Sequence, residues 1–482
     1  MKNKLITCLT VLTILASCGG SNSSSNNGDT LTPWWTTTGA LEKDGSGNIV
    51  FDEVTLGLAT VVAGEDVSAL SEIISNFNVE YRGKINVTVE NIGQDSFERT
   101  ISDRVTQNSN PPTIIMSHQK GHKTFVQNKI IQPLNEAVEL GDVDYSPSDI
   151  VSNLADSSNL GYEGYMFNVP IDAQSIVLYY NKPLLNKYNG GKLPETRAEL
   201  IEVSKRAKAG EGSGFTPFAV PNDNVFFNWY FVRTALVQNG FKFFDEETFK
   251  VDWSEGDNLQ ALIDSVNSVN ELFYGANAIS TINQSTATAV NDFTNDRSLF
   301  FAYLPWNSAS LFAKYGSDHG GKSIAEVQES YIGGASLSGM FQDDINDINA
   351  YKIYGDSHAF ALTNSVNDIT TKVAAAEFIN YFTKNVNLGI KWANAGHVST
   401  SHTILNDNRY KSDPYVSNYI NQFYTDLNEF VSAGNTPFYS ATFSELDAMI
   451  AKNIKNGATA AEITEAAKAS VSSVNMLIEW GE

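Results

Sequence analysis

The chain has 482 residues, 42% of them hydrophobic, and a formal net charge of -23. A chain of this length can bury a large core without cross-links, and it is long enough for two or more domains. Because strong net acidity repels nucleic acid and anionic lipid, we expect no nucleic-acid partner. The two cysteines, Cys8 and Cys18, both lie near the N-terminus, so we expect no disulfide in the body of the protein.

The first residues have the pattern of an export signal. Lys2 and Lys4 precede an apolar run at 5–15, which is shorter than a membrane-spanning helix requires. The run ends in Leu-Ala-Ser before Cys18, and this resembles the bacterial lipobox, in which the cysteine is lipidated and becomes the new N-terminus. We therefore predict a signal peptide at 1–17 and a lipid anchor at Cys18 that holds the protein on the extracytoplasmic face of the cell membrane.

A polar stretch follows the predicted anchor. Residues 19–28 consist of Gly, Ser and Asn, a composition typical of a flexible linker, and we predict a tether at 18–50. Trp34 and Trp35 lie within it, and two interpretations stay open: the indoles pack on the body, or they contact the membrane surface.

From residue 54 the chain alternates strand-like and helix-like segments. Residues 54–62 form a continuous apolar run of strand length. Residues 66–77 carry apolar side chains at helical spacing, namely Leu70, Ile73, Ile74 and Phe77. Further strands are predicted at 85–89, 113–116, 175–180 and 299–303, and further helices at 97–105, 197–208 and 373–382. This order predicts an α/β fold in which helices cover parallel strands, followed by a mostly helical C-terminal third.

Four blocks in chain order carry a family pattern. Tyr180-Asn181-Lys182 closes a predicted strand, and Pro194-Glu195-Thr196 opens a predicted helix. The other blocks are residues 112–134, 298–306 and 355–382. Together they resemble family 1 extracellular solute-binding proteins, the group that contains maltose-binding protein, although Arg197 stands in place of the family's Trp and Leu304 in place of its Gly.

The resemblance implies a periplasmic-binding-protein-like fold, with two α/β lobes, a hinge and a ligand cleft between the lobes. We expect one lobe at 51–172 and 361–408, and the other at 175–358 and 412–482. A cleft also agrees with general rules, since ligands of open α/β sheets bind beyond the carboxyl ends of the strands and paired lobes close by hinge motion.

The candidate ligand-binding residues lie at predicted strand ends or in the segments that cross between lobes. Those that offer hydrogen bonds are Ser117, His118, Asp172, Gln174, Ser357 and His358, and those that offer flat apolar faces are Trp229 and Trp306. A sugar site needs both kinds of group. Trp306 follows a predicted strand and Pro305, and this position favours a location in the cleft. For Trp229, a location in the cleft and one in the core stay equally open. Gln174 falls where maltose-binding protein has a sugar-contacting acid, which implies a different pattern of hydroxyls.

Motifs for other chemistry do not fit. Residues 316–323 match G-x-x-x-x-G-K-S, but a helix-like segment precedes them where a phosphate-binding loop requires a strand. His118 and His122 are four residues apart and His397 and His402 are five apart, without an H-E-x-x-H motif, so we expect no metal and no cofactor. No set of residues marks a catalytic site, and we expect no enzymatic activity.

The sequence thus predicts a lipoprotein that captures a carbohydrate, either an oligosaccharide or a sugar derivative, and delivers it to the permease subunits of an ABC importer. Two alternatives stay open. One is a binder of a non-sugar solute, such as a phosphodiester or a peptide, and the other is a surface adhesin that retains the fold.

Overall fold

The computed structural model describes residues 33–62, 65–155, 159–160, 162–432 and 436–481. The strands are β1 Val54–Thr60, β2 Ile85–Asn91, β3 Ile114–His118, β4 Ile131–Gln132, β5 Val169–Pro170, β6 Asp172–Ala173, β7 Val177–Asn181, β8 Phe218–Ala219, β9 Phe300–Tyr303, β10 Ile332–Ala335, β11 Ile353–Tyr354, β12 His358–Thr363, β13 Val398–Ser399 and β14 Phe430–Val431. They confirm the strands predicted from the apolar runs, with ends that shift by a few residues.

The helices confirm the predicted helical segments in the same way, including the largely helical C-terminal third. They are α1 Glu65–Glu80, α2 Gln94–Thr106, α3 His122–Gln127, α4 Asn135–Gly141, α5 Ser152–Ala155, α6 Lys182–Asn189, α7 Arg197–Glu211, α8 Arg233–Gln238, α9 Gly256–Phe273, α10 Thr286–Thr294, α11 Ser308–Asp318, α12 Ile324–Ser330, α13 Ile369–Lys384, α14 Val386–Asn394, α15 His402–Asn406, α16 Asn408–Ser412, α17 Asn421–Phe423, α18 Tyr439–Asn453 and α19 Ala460–Gly481. Within the described ranges, no helix combines the length and apolar character that crossing a membrane would require.

Two sheets organise the body. The first has the order β2-β1-β3-β12-β4, with β5 also paired to β12, and its β1 runs parallel to β2 and β3 while β12 runs antiparallel. The second has the order β10-β7-β9-β8. Helices cover both, so the α/β fold class is confirmed.

The motifs that carry the family pattern act as helix caps. The Asn181 side chain accepts a hydrogen bond from Leu184 N (3.0 Å) at the start of α6. The Thr196 hydroxyl accepts one from Glu199 N (3.2 Å) at the start of α7. Such caps satisfy backbone donors that have no partner inside the helix.

The glycine-rich stretch at residues 316–323 lies between two helices. Gly316 lies inside α11, and Ser323 forms a capping box with Glu326 at the start of α12. A helix therefore precedes the glycine-rich stretch, as expected, and the stretch connects two helices. His118 ends β3 and His122 begins α3, so these two histidines do not share a helix face.

Apolar cores fill the space around the sheets. One core joins β1, β2 and β3 to α1 and α13, and another joins β7 and β9 to α7, α8, α9, α18 and α19. A third joins Tyr179 and Phe301 of the second sheet to residues of the segment 386–430, among them Val398 and Tyr419. The lobe boundaries given above stay a prediction.

The tryptophans of the predicted tether contact the body. Trp34 Nε1 donates to Ile131 O (3.1 Å), and its ring stacks on Phe167 at 5.8 Å. Trp35 packs edge-on against Trp34. Of the two interpretations left open, the structure supports packing on the body.

Candidate ligand site

Two chain segments cross between the sheets side by side. Residues 171–176 lead from β5 to β7, and residues 355–357 lead from β11 to β12. They pair through Gln174 and Asp356, each donating its backbone N–H to the other's carbonyl at 2.9 Å. Most of the predicted hydrogen-bonding residues lie on these segments or at the adjoining end of β3, where His118 pairs with His358.

Asp172 is the centre of one buried cluster. Its Oδ1 accepts from His358 N (2.7 Å), and its Oδ2 accepts from Trp392 Nε1 (2.8 Å) and lies 2.9 Å from His358 Nδ1. Burial alone would raise the pKa of Asp172, but His358 and His397 hold it below its usual value.

His397 lies between two carboxylates in the same cluster. Its Nε2 is 3.1 Å from Asp66 Oδ1, and its Nδ1 is 3.4 Å from Asp172 Oδ2. Burial opposes protonation of His397, yet the two carboxylates raise its pKa above the usual value. The cluster therefore joins β6, the start of β12 and the turn before β13.

Asp356 is the centre of a second cluster. Its Oδ2 lies 2.7 Å from Lys120 Nζ and 3.1 Å from His118 Nδ1. Burial would raise the pKa of Asp356, but the charge of Lys120 and the contact with His118 hold it well below its usual value. Burial lowers the pKa of His118 to about 4, even though Asp356 favours the charged ring. The positive charge that faces Asp356 is therefore that of Lys120, while His118 is neutral near pH 7.

Aromatic side chains lie next to both clusters. Trp306, in the turn Pro305–Asn307 after β9, is partly buried and lies parallel to His397, with ring centroids 6.1 Å apart and an angle of 4° between planes. It also forms T-shaped contacts with Phe226 and Tyr230, with ring centroids 5.9 and 6.2 Å apart. Phe226 also lines a pocket of about 160 Å³ at the carboxyl ends of β8 and β9, together with residues that include Leu304 and Asn307.

Trp229 lies differently from Trp306. It is partly buried, packs against the core of the second sheet, and has Lys120 Nζ 4.5 Å above its ring centroid. This cation–π contact joins the loop after β3 to the helical segment before α8. Each indole thus has one face near a side chain, Lys120 for Trp229 and His397 for Trp306. Trp306 stays the preferred candidate for stacking on a ligand because it lies directly after the carboxyl end of β9.

The structure brings together five of the predicted hydrogen-bonding residues, namely His118, Asp172, Gln174, Ser357 and His358. Ser117 does not belong to either cluster. Ser117 is buried, and its Oγ lies 2.9 Å from His122 Nε2. Ser357 is buried as well and donates its Oγ–H to the carbonyl of His358 (3.0 Å). Whether these residues contact a ligand stays a prediction.

Lys120, Asp356, Trp392 and His397 belong to the same clusters and were missed by the sequence-based prediction. Asp356 directly precedes the predicted Ser357, and Lys120 follows the predicted His118 by two residues, so each lies next to a residue that the sequence indicated. Nothing in the sequence indicated His397 or Trp392, which reach Asp172 only through tertiary packing. Cys18, the predicted lipidation residue, lies outside the described residues.

Comparison with known proteins agrees with this architecture. Residues 63–389 match the family model described as bacterial extracellular solute-binding protein. Among curated proteins, the sn-glycerol-3-phosphate-binding periplasmic protein UgpB of Salmonella typhimurium is 23% identical over 222 residues, which is 44% of this chain and 48% of that protein. UgpB of Shigella flexneri is 24% identical over 185 residues, 37% of this chain and 41% of that protein. The chain thus matches about half of each relative's length or less.

Solved structures match over more of the chain. The GacH receptor of Streptomyces glaucescens superposes with a TM-score of 0.67 at 17% identity, covering 89% of this chain and 99% of the receptor. MalE3 of T. maritima superposes with a TM-score of 0.66 at 17% identity, covering 88% of this chain and 100% of MalE3. These likenesses confirm the two-lobed periplasmic-binding-protein fold. With the family model matched over more than half of its length, the chain belongs to the bacterial extracellular solute-binding protein family.

Proposed function

We propose that the protein captures a carbohydrate, an oligosaccharide or a sugar derivative, between its two lobes and delivers it to the permease subunits of an ABC importer. The lipid at Cys18 would keep it at the outer face of the membrane, close to those subunits. The ligand is released unchanged, because the proposed role is transport.

The observation that carries this proposal is the placement of Trp306. Its ring follows β9 at the carboxyl edge of the second sheet, where open α/β sheets bind ligands. It lies beside His397 and the Asp172 cluster, so a flat apolar face and polar groups occur together. This combination suits a pyranose ring, which has C–H faces and a rim of hydroxyls.

Two of the structural neighbours support a sugar. The GacH receptor is described in complex with acarbose, and T. maritima MalE3 is described as maltose-bound. Each matches this chain across nearly its whole length.

A phosphate-bearing solute is the second candidate. The curated relatives are named for sn-glycerol-3-phosphate, and Lys120 lies over Trp229 as a cation near the crossing segments. Asp356, however, lies 2.7 Å from the Lys120 ammonium and neutralises its charge. The site therefore attracts a phosphate group only weakly, and a neutral sugar fits it better.

A thermal-unfolding screen separates these candidates. A solute at a hundredfold excess over Kd stabilises the folded protein by about 2.7 kcal/mol. The full chain would be unfolded with a panel of mono- and oligosaccharides and, in parallel, with sn-glycerol-3-phosphate. Stabilisation by a sugar supports the proposal. Stabilisation by sn-glycerol-3-phosphate alone would instead identify a phosphate ester as the ligand class. No stabilisation by any solute would favour the adhesin alternative.

A further inference from the structure

We propose that Asp172, His358 and His397 form a binding site for a late first-row divalent cation such as Zn²⁺. One carboxylate oxygen and one ring nitrogen from each histidine lie within 4.8 Å of one another, and all three side chains are buried. Imidazole and carboxylate are ligands that Zn²⁺ binds in proteins. This goes beyond the proposed capture of a solute and does not depend on it.

The separations suit a shared cation. Metal–ligand bonds of about 2.1 Å give ligand–ligand separations of about 3.0 Å in an octahedron and about 3.4 Å in a tetrahedron. Asp172 Oδ2 lies 2.9 Å from His358 Nδ1 and 3.4 Å from His397 Nδ1. The second distance is long for a charge-assisted hydrogen bond, which is typically about 2.7–2.9 Å.

His397 gives an independent observation. Its side chain is fully buried, and among the described residues neither ring nitrogen makes a hydrogen bond, although Nδ1 lies 3.4 Å from Asp172 Oδ2 and Nε2 lies 3.1 Å from Asp66 Oδ1. A buried ring nitrogen without a partner is costly, and a bound cation would satisfy it.

The surrounding residues can orient these ligands. Asp66 Oδ1 lies 3.1 Å from His397 Nε2 without the alignment of a hydrogen bond, and a small turn of the ring on binding the ion would give the carboxylate–histidine arrangement that orients metal-binding imidazoles. The Gln174 amide lies 3.5 Å from His358 Nε2 and can accept its proton once the amide is turned. Trp392 Nε1 donates to Asp172 Oδ2 and holds that carboxylate in place.

Charge also favours a cation. Asp66 and Asp172 are two buried carboxylates on either side of one imidazole, and a divalent ion bound by neutral histidines would balance both. The ion would tie β6 to the start of β12 and to the turn before β13, and so would brace the crossing segments. It would also fix His397 beneath the ring of Trp306.

The test is a Zn²⁺ titration of the full chain after removal of bound metal with a chelator. We expect one Zn²⁺ per chain that excess Mg²⁺ does not displace, because Mg²⁺ prefers oxygen ligands. His358→Ala and His397→Ala should abolish this binding, and Asp66→Asn should weaken it about 10- to 100-fold. His402→Ala is the matched control, since His402 is exposed, and it should leave the affinity unchanged.

Absence of stoichiometric Zn²⁺ binding by the parent protein, displacement by Mg²⁺, or equal binding by folded His397→Ala would each overturn the proposal. Should the histidine variants fail to fold, the parent protein loaded with Co²⁺ decides the matter. Hyperfine-shifted imidazole N–H resonances in the proton NMR spectrum of the Co²⁺-loaded protein support histidine ligation at any coordination number, whereas their absence contradicts the site.

Discussion

The ion pair between Lys120 and Asp356 gives a sharp test of the structure at the crossing segments. Lys120 Nζ is 2.7 Å from Asp356 Oδ2, and only 12% and 4% of the two side chains are exposed. Lys120→Met keeps most of the stem but leaves a buried carboxylate whose other close titratable contact is His118, which is uncharged near pH 8. Since removing one partner of a buried pair costs about 3–5 kcal/mol, we expect the free energy of unfolding to fall by about 3 kcal/mol near pH 8.

The loss should shrink as the pH falls. In the parent, burial and the charge of Lys120 lower the pKa of His118 to about 4 against the attraction of Asp356. In Lys120→Met one opposing charge is gone, so the pKa of His118 should rise. Below that raised pKa a protonated His118 takes the place of Lys120 beside Asp356, and the destabilisation is fully present only above it.

Urea unfolding of parent and variant at about pH 8 and about pH 5 measures both effects. Lys187→Met is the matched control, because Lys187 Nζ is also 2.7 Å from its partner Glu211 but 58% of its side chain is exposed. It should unfold like the parent protein. If Lys120→Met costs no more than Lys187→Met, or costs the same at both pH values, the buried pair described above is wrong.

Three further predictions concern the ligand face, the pH response and the anchor. Trp306→Ala should weaken sugar binding at least about tenfold, because stacking on about 60 Å² of apolar sugar surface contributes about 1.5 kcal/mol. Titration calorimetry measures this, with Trp480→Ala (77% exposed) as control, and equal affinities would remove Trp306 from the site. The pKa of His118 is lowered to about 4 from 6.5, so the unfolded chain binds more protons than the folded chain between these values. The contribution of His118 to stability should be full above about pH 6.5 and should fall by about 3 kcal/mol toward pH 4. Because the pKa of buried His122 is also lowered, to about 3, His118→Asn should reduce the fall measured by urea titrations but should not remove it. Cys18→Ala should abolish partition into a detergent phase, and unchanged partition would contradict the lipid anchor.

Much of the fold was predictable because local periodicity sets it. The apolar spacing at 66–77 predicted α1, and the apolar runs at 54–62 and 299–303 predicted β1 and β9. In these segments the side-chain pattern that buries one face is also the pattern that defines the element.

Only those site residues that lie at the ends of predicted strands could be predicted from the sequence. Asp172, Gln174 and His358 lie at strand ends that the sequence could place, and the structure brings them together. His397 and Trp392 reach Asp172 because α14 and β13 pack beside β6, and no local pattern records that contact. Lys120 lies in the short turn after β3, and its contacts Asp356 and Trp229 are distant in sequence, so no local pattern predicts them.

The proposed function requires the two lobes to close on a bound solute. Small-angle X-ray scattering of the full chain, with and without a saturating solute found in the unfolding screen, tests it directly. Capture between lobes predicts a smaller radius of gyration for the bound protein, since hinge closure draws the lobes together. A solute that binds and stabilises the protein while the radius of gyration stays unchanged would contradict capture by closure.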